Sequence, residues 1–319
     1  MGFARLVLFL LFTCTLCACD KSTNPPAAST PTAKKQIVVA LLLKTQTNPF
    51  FIAMEQGARR AEKEYGIKLV TRGGSQETYV QEQIQIVEDV IESKVDAIVI
   101  APSDSAMLVP IVKKAQDAGI VVIGIDNPLD QKTMQSLHMK PVPFIGVDNE
   151  MASYQVVKSV IANITAPTQA AIISGMPGAE NGQERVDGAK RAFKEKPLFN
   201  IVAEETAHWK IDEAHDVAKK LFAAHPHIRL LFCANDMMAL GAVQYVAERG
   251  LKHVQVIGYD ALAEAKLAVK AGTLAATVDQ QADEQGYQGV VFALRALKGE
   301  QLPEVLTIAT KVVDPASLK

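Results

Sequence analysis

Residues 37–70 read IVVALLLKTQTNPFFIAMEQGARRAEKEYGIKLV, and the order of their parts decides the fold. The run at 37–43 is apolar on both alternating faces, the pattern of a strand covered from two sides rather than one that keeps a wet face. Asn48 and Pro49 then supply a helix N-cap and a proline at the first helical position, where its missing N–H costs nothing. Phe51, Met54, Ala58 and Ala61 fall on one stripe of the segment that follows, and Gly66 stands where a left-handed C-cap is needed. KLVT (68–71) begins a second apolar run. Strand, crossover helix and strand in this order form a βαβ unit, whose strands must run parallel.

The same alternation continues along the chain. Further strands are expected at AIVIA (97–101), VVIGID (121–126) and FIGVDN (144–149). A second series follows at AAIISG (170–175), NIVAEE (200–205), LLFCAN (230–235), QVIGYD (255–260) and LAATVDQ (274–280). Between them lie amphipathic segments. QEQIQIVEDVIESK repeats apolar residues at Ile84, Val87, Val90 and Ile91, and MMALGAVQYVAERG closes on Gly250 with Asp236 as its expected cap. Two successive βα series of similar length imply an α/β protein of two doubly wound, parallel-sheet (Rossmann-like) lobes.

The first nineteen residues, MGFARLVLFLLFTCTLCAC, carry one early arginine, a short apolar run and small residues. That is the composition of a secretory signal, expected over 1–18, and the run is too short for a bilayer span. Leu16-Cys17-Ala18-Cys19 resembles a lipobox, with Cys19 the residue to be lipidated. Residues 19–35 are rich in Pro, Ser, Thr and Ala and read as a tether. The membrane is then touched through a lipid anchor only. Three of the four cysteines belong to this leader, so Cys233 is expected as a lone buried thiol and no disulfide is available. The net charge is −2, and becomes −3 when residues 1–18 leave with one arginine and no acid. With no basic patch, nucleic acid is an unsuitable partner.

In doubly wound sheets ligands bind beyond the carboxyl ends of the strands, so the residues there carry the functional reading. The first series places Lys44, Asn48, Phe50 and Phe51 after its first strand, and Asp126-Asn127 after its fourth. The second places Arg185 in GAENGQER, Trp209 (the sole tryptophan) in AHWK, then Asn235, Asp260 and Asp279-Gln280 at strand ends. Aromatic faces with planar amides, carboxylates and cations suit the C–H faces and vicinal hydroxyls of a small polar ligand. Each also has a plainer reading. Phe51 fits the core stripe, whereas Phe50 beside it does not. Asp126, Asn235 and Asp260 are ordinary turn residues taken singly, and a shared cleft taken together. Arg185 is expected to serve the ligand alone, so that removing it leaves the free protein's stability intact.

Signals for catalysis in the sequence are weak. There is no nucleophile elbow, zinc-protease helix or phosphate loop, and Gly175, Gly178 and Gly182 lack the dinucleotide spacing. His225-Pro-His227 offers two metal ligands without a third. No enzyme activity, cofactor or metal is expected.

Several segments in the same order, namely LKTQTNPFF, QEQIQIVEDV, IAPSDS, GAENGQERVDGA, AHWK, FCANDMMALGA, GYDALAEA and LAATVDQ, resemble the ribose-, galactose- and allose-binding periplasmic proteins of ABC transporters. The nearest likeness is to the allose-binding members. The resemblance covers about residues 36–314 and implies a type I periplasmic binding fold, two lobes joined by three hinge strands and closing on one sugar. It implies a first lobe of 36–143 plus 281–309 and a second of 144–280 plus 310–319. Lys44, Asn48, Phe50, Phe51, Asp126 and Asn127 would contact the ligand from the first lobe, Arg185, Trp209, Asn235 and Asp260 from the second, and Gln280 from the hinge. Ala101 replaces an asparagine of the ribose binders, an alanine that allose binders share along with a lysine at the position of Lys44. Asn127 stands where allose binders have an acid. The implied role is that of a monomer which captures a monosaccharide, a hexopyranose such as allose or a relative, for an ABC permease. The alternative is a sensor subunit that presents its closed form to a chemoreceptor or kinase.

Overall fold

The computed structural model describes residues 35–319, so the signal, Cys19 and all of the tether but Lys35 lie outside the described residues. The first lobe opens with β1 (Val38–Thr45), α1 (Pro49–Tyr65), β2 (Lys68–Gly74), α2 (Val80–Glu92), β3 (Ala97–Ile100) and α3 (Val109–Asp117). It continues with β4 (Val121–Ile125), α4 (Gln131–Ser136) and β5 (Phe144–Gly146). The second lobe runs through α5 (Asn149–Ile161), β6 (Thr168–Ser174), α6 (Glu180–Lys194), β7 (Phe199–Thr206), α7 (Ile211–Ala224) and β8 (Ile228–Cys233). It then adds α8 (Asp236–Glu248), β9 (Gln255–Ile257), α9 (Ala263–Ala271) and β10 (Thr277–Asp279). The chain returns to the first lobe for α10 (Ala282–Leu297) and β11 (Val305–Thr307), and ends on β12 (Lys311–Val313).

The first sheet has the order β11-β5-β4-β3-β1-β2 and is parallel throughout. The second is β7-β6-β8-β9, also parallel. Consecutive strands lie on either side of β1 and of β6, so both sheets are wound in two directions. Two departures from the sequence reading stand out. Phe144 and Ile145 pair with Gly124 and Ile125 of β4, so β5 belongs to the first sheet and the crossing falls after Gly146 rather than before Phe144. Residues 277–279 pair antiparallel with β12, and the fifth strand of the second series meets the parallel sheet at an Ile257–Ala276 bridge with backbone hydrogen bonds beside it.

Local sequence explains how these elements aim their ends at the space between the lobes. The Asn48 side chain caps α1 by accepting a hydrogen bond from Phe50 N at 3.0 Å, and Gly66 closes the helix at φ 64°. α1 crosses α10 where both carry glycine: a Cβ on Gly57 would stand 1.7 Å from Asp283 O, and one on Gly286 1.9 Å from Met54 O. That close crossing sets the start of α10, just after Gln280, beside Asn48 and Phe50. Gln83, buried on α2, donates to Ala101 O at 2.9 Å and accepts from Ser103 N and Oγ, so the carboxyl end of β3 is held by a side chain where the ladder stops. Cys233 lies in the core of β8, where burial pushes its thiol up and leaves it unreactive.

Asp236 differs from its expected role. Asn235 is the cap of α8, accepting from Met238 N at 2.9 Å, while the fully buried Asp236 carboxylate accepts from Leu262 N at 2.9 Å and Thr277 Oγ1 at 2.7 Å. It thereby ties α8 to the loop carrying Asp260 and to β10. Burial pushes its carboxyl up to about 6, against the lowering effect of these hydrogen bonds. The folded protein therefore holds this proton more tightly than the unfolded chain does. The group's contribution to stability is full below its ordinary value of 3.8 and is lost as pH rises through about 6. The melting-temperature advantage of wild type over Asp236→Asn is expected to narrow over that interval; a constant gap would assign the titration elsewhere.

Candidate ligand-binding cleft

The first-lobe wall is built from strand ends. Lys44 closes β1 with its ammonium 2.7 Å from Asp126 Oδ2, both side chains at most 3% exposed. Asp126 follows β4 at φ 63°, a left-handed conformation that an aspartate tolerates better than most residues and that turns its carboxylate toward Lys44. Phe50 and Phe51 pack edge to face, with centroids 5.2 Å apart, and Lys44 Nζ lies 5.9 Å from the Phe51 centroid. Glu77, from the loop after β2, accepts a hydrogen bond from Asn48 Nδ2 at 2.9 Å. Burial pushes the Glu77 carboxyl above its usual range, and Lys44 offsets part of that rise.

The second-lobe wall centres on Arg185, which is 3% exposed. Its Nε donates to Asn149 Oδ1 at 2.9 Å, one terminal nitrogen to Ala234 O at 3.0 Å and the other to Gln280 Oε1 at 3.4 Å. The guanidinium lies over the Tyr259 ring, 4.0 Å from its centroid, and 3.6 Å from Asp260 Oδ1. Gln280 Nε2 in turn donates to Asp260 Oδ1 at 2.7 Å. Burial pushes the Asp260 carboxyl well up, with Arg185 pulling the other way. Trp209 sits at φ 66°, after His208 at φ 48°, two consecutive left-handed residues of which one is bulky. Such positions cost roughly 1–3 kcal/mol each and persist where surrounding structure holds them. Here the loop is held by Glu213, whose carboxylate meets His208 Nδ1 at 2.6 Å and Lys210 Nζ at 2.9 Å. The indole fills a slot that glycine makes: a Cβ on Gly175 would stand 2.1 Å from it.

Ten of the eleven ligand-site residues read from the sequence line one void between the lobes, the exception being Asn127. Its buried amide donates to Pro102 O at 3.0 Å and Ser105 Oγ at 3.1 Å, and accepts from Asn181 N at 3.0 Å, so it bridges the lobes beside the void rather than facing it. Phe50 and Phe51 both combine core packing with a place on the wall. Two lining residues went unread, Glu77 and Asn181. β2 runs three residues further than its apolar part, through Gly74, which puts Glu77 at a strand end after all. Asn181 lies inside the segment that supplied Arg185, one helical turn earlier.

The arrangement suits an uncharged, polyhydroxylated ligand. Lys44 and Arg185 already face Asp126 and Asp260, so no cation is left over for a phosphate or carboxylate. Aromatic rings from both lobes line the void. Among the described residues no group of His, Cys, Asp and Glu is arranged to hold a metal ion.

The fold and this cleft define a class: residues 39–301 match the periplasmic binding protein domain, and the chain belongs to that family, with its type I fold. It is 39% identical to the D-ribose/D-allose-binding protein of Pseudomonas aeruginosa over 92% of both chains. It is 32% identical to the D-allose-binding periplasmic protein of Escherichia coli K12, over 86% of this chain and 89% of that one. A solved ABC transporter periplasmic solute-binding protein of Actinobacillus succinogenes 130z with bound D-allose superposes with a TM-score of 0.84 at 36% identity, covering 89% of this chain and 99% of that one. These relatives are solute-binding proteins, not enzymes.

The contacts of Arg185 reverse one expectation. It joins α5, β8, the Asp260 loop and the hinge residue Gln280, so it is part of the free protein's framework. Arg185→Ala is expected to destabilise the ligand-free protein by roughly 3–5 kcal/mol, the usual effect of leaving a buried charge partner uncompensated. Chemical denaturation of the free variant measures this; an unchanged unfolding midpoint would return Arg185 to a purely ligand-directed role.

Proposed function

We propose that this chain is an extracytoplasmic solute-binding lipoprotein that captures a monosaccharide, a hexopyranose such as allose or a close relative, and delivers it to an ABC permease. The observation that carries this reading is the lining of the interlobe void, walled by Phe50, Phe51 and Trp209 and edged by the Lys44–Asp126 and Arg185–Asp260 pairs. The names of the relatives and the D-allose bound to the solved neighbour support the choice of sugar. Lys44 and Ala101, at the two positions that set allose binders apart from ribose binders in the sequence, favour a hexose. The lipobox-like Leu16–Cys19 supports anchoring through Cys19, and no helix of the described residues is long and apolar enough to cross a membrane. The protein acts as a monomer, its first lobe ending after Gly146 and resuming at Gln281.

A micromolar site needs about 8 kcal/mol net. Charge-assisted hydrogen bonds contribute about 1.5–3 kcal/mol each, so a few of them with ring stacking suffice when closing the lobes is inexpensive. The closed form then presents one continuous surface to the membrane partner.

A thermal-shift screen of hexoses, pentoses and polyols is expected to find allose or a near epimer raising the melting temperature most, with Trp209 fluorescence changing on the same addition. A pentose as the sole stabiliser would correct the sugar class, and silence across the whole panel would overturn the reading.

A further inference from the structure

The contact that brings the lobes together also carries a group with nothing to bind. Loops of the first lobe after β3 and β4 grip the turn that leads into α6 of the second. Ser105 N donates to Gly178 O at 2.9 Å, Ser105 Oγ accepts from Glu180 N at 3.1 Å, and Asn127 Oδ1 accepts from Asn181 N at 3.0 Å. Asn127 is fully buried and uses its two amide protons on Pro102 O and Ser105 Oγ. Every one of these bonds joins protein to protein, and none of these side chains except that of Asn181 reaches the void.

Asn181 is only 2% exposed and lines the void. Its Nδ2 lies 3.3 Å from Asp126 Oδ1 and 3.5 Å from Asp126 O. Both are acceptors, so the amide nitrogen must point that way and the carbonyl end is turned from Asp126. That Oδ1 is buried and has no donor. A buried acceptor without a donor is unfavourable, and buried polar groups in folded proteins are almost always satisfied.

Building on the sugar-binding reading, we propose that Asn181 is a specificity-determining residue whose Oδ1 accepts a hydrogen bond from one ligand hydroxyl, and that Asn127 with Ser105, gripping the backbone of the turn into α6, is a latch that holds the lobes closed over it. In an open form, with the lobes apart, Asp126 and Asn127 no longer hold Asn181. The residue then stands at a helix start facing water, with its amide free to rotate. Closure fixes the amide, removes its water, and leaves a site that only a correctly placed hydroxyl completes. A sugar without that hydroxyl closes the lobes onto an unpaired oxygen. Asn127 acts on every ligand alike, since it touches none of them.

The test uses the strongest sugar of the screen and its complete monodeoxy series, with wild type, Asn181→Ala and Asn127→Ala compared by calorimetry and stopped-flow Trp209 fluorescence. Asn181→Ser serves as a smaller polar companion to Asn181→Ala, and melting of the free variants confirms folding. Wild type is expected to bind one deoxy analogue about 10–100-fold more weakly on account of Asn181, the cost of one unpaired buried group. Asn181→Ala should bind the parent sugar correspondingly more weakly and no longer distinguish that analogue, while keeping wild-type ratios at the other positions. Asn127→Ala should dissociate faster and weaken all sugars by one common factor. If Asn181→Ala retains every wild-type ratio, the assignment of Asn181 is wrong. If Asn127→Ala changes the ratio at one hydroxyl, Asn127 is a ligand contact and the latch is wrong. A wild type that binds none of the sugars overturns the functional reading itself, and this inference with it.

Discussion

Placing a guanidinium in a dry protein interior is among the more expensive things a fold does, and the geometry of this cleft follows from how the Arg185 charge is compensated. No single element supplies its partners. Asn149 begins α5 just after the first hinge crossing, Ala234 follows β8, Asp260 lies in the loop after β9, and Gln280 stands at the second crossing. The Tyr259 ring covers the cation from one side. Satisfying one charge therefore draws two of the three hinge passages and two strand ends to a point. The same atoms that stabilise the free protein become the second-lobe wall.

The first lobe repeats the principle with less strain on the surroundings. Lys44 and Asp126 neutralise each other at 2.7 Å, and Asn181 from the opposite lobe donates to the same aspartate. The Lys44–Asp126 pair is thus complete as a charge but open as a hydrogen-bonding centre. That condition favours hydroxyls, which donate and accept at once, over ions, which would upset a balance already struck. Asp126, Trp209 and Asp260, one on the first-lobe wall and two on the second, all have positive φ. Each side chain must leave the direction its strand or loop would ordinarily give it, and the surrounding hydrogen bonds hold the unfavourable backbone in place.

Much of this was legible in the sequence because the fold's rules are local or periodic. Apolar runs such as 37–43 fit doubly covered strands, Asn48-Pro49 suits a helix start, and ligands bind beyond the strand ends of a doubly wound sheet. Cys233, surrounded by Leu231, Phe232 and Ala234, was readable as core for the same reason. Where the reading failed, the deciding contact was remote in sequence. β5 has three residues and no pattern of its own, and only its pairing with β4 and β11 assigns it to the first sheet. Asp236 looked like a cap because it precedes a helix, yet its partners Leu262 and Thr277 lie 26 and 41 residues away.

Sequence by itself determined the two-lobed α/β architecture, the compartment-directing leader as an expectation, and the inventory of groups at the strand ends. Which of those groups face the void was decided by tertiary structure alone. Asn127 and Asn181 show the difference most clearly. Both are asparagines near strand or helix ends, and composition and spacing do not separate them. One has its amide saturated by Pro102 and Ser105 of its own lobe and by the Asn181 N–H across the boundary, and the other is left with a buried acceptor that no donor meets. A hydrogen-bonding inventory can be closed only when all partners in space are known, and those partners come from opposite lobes.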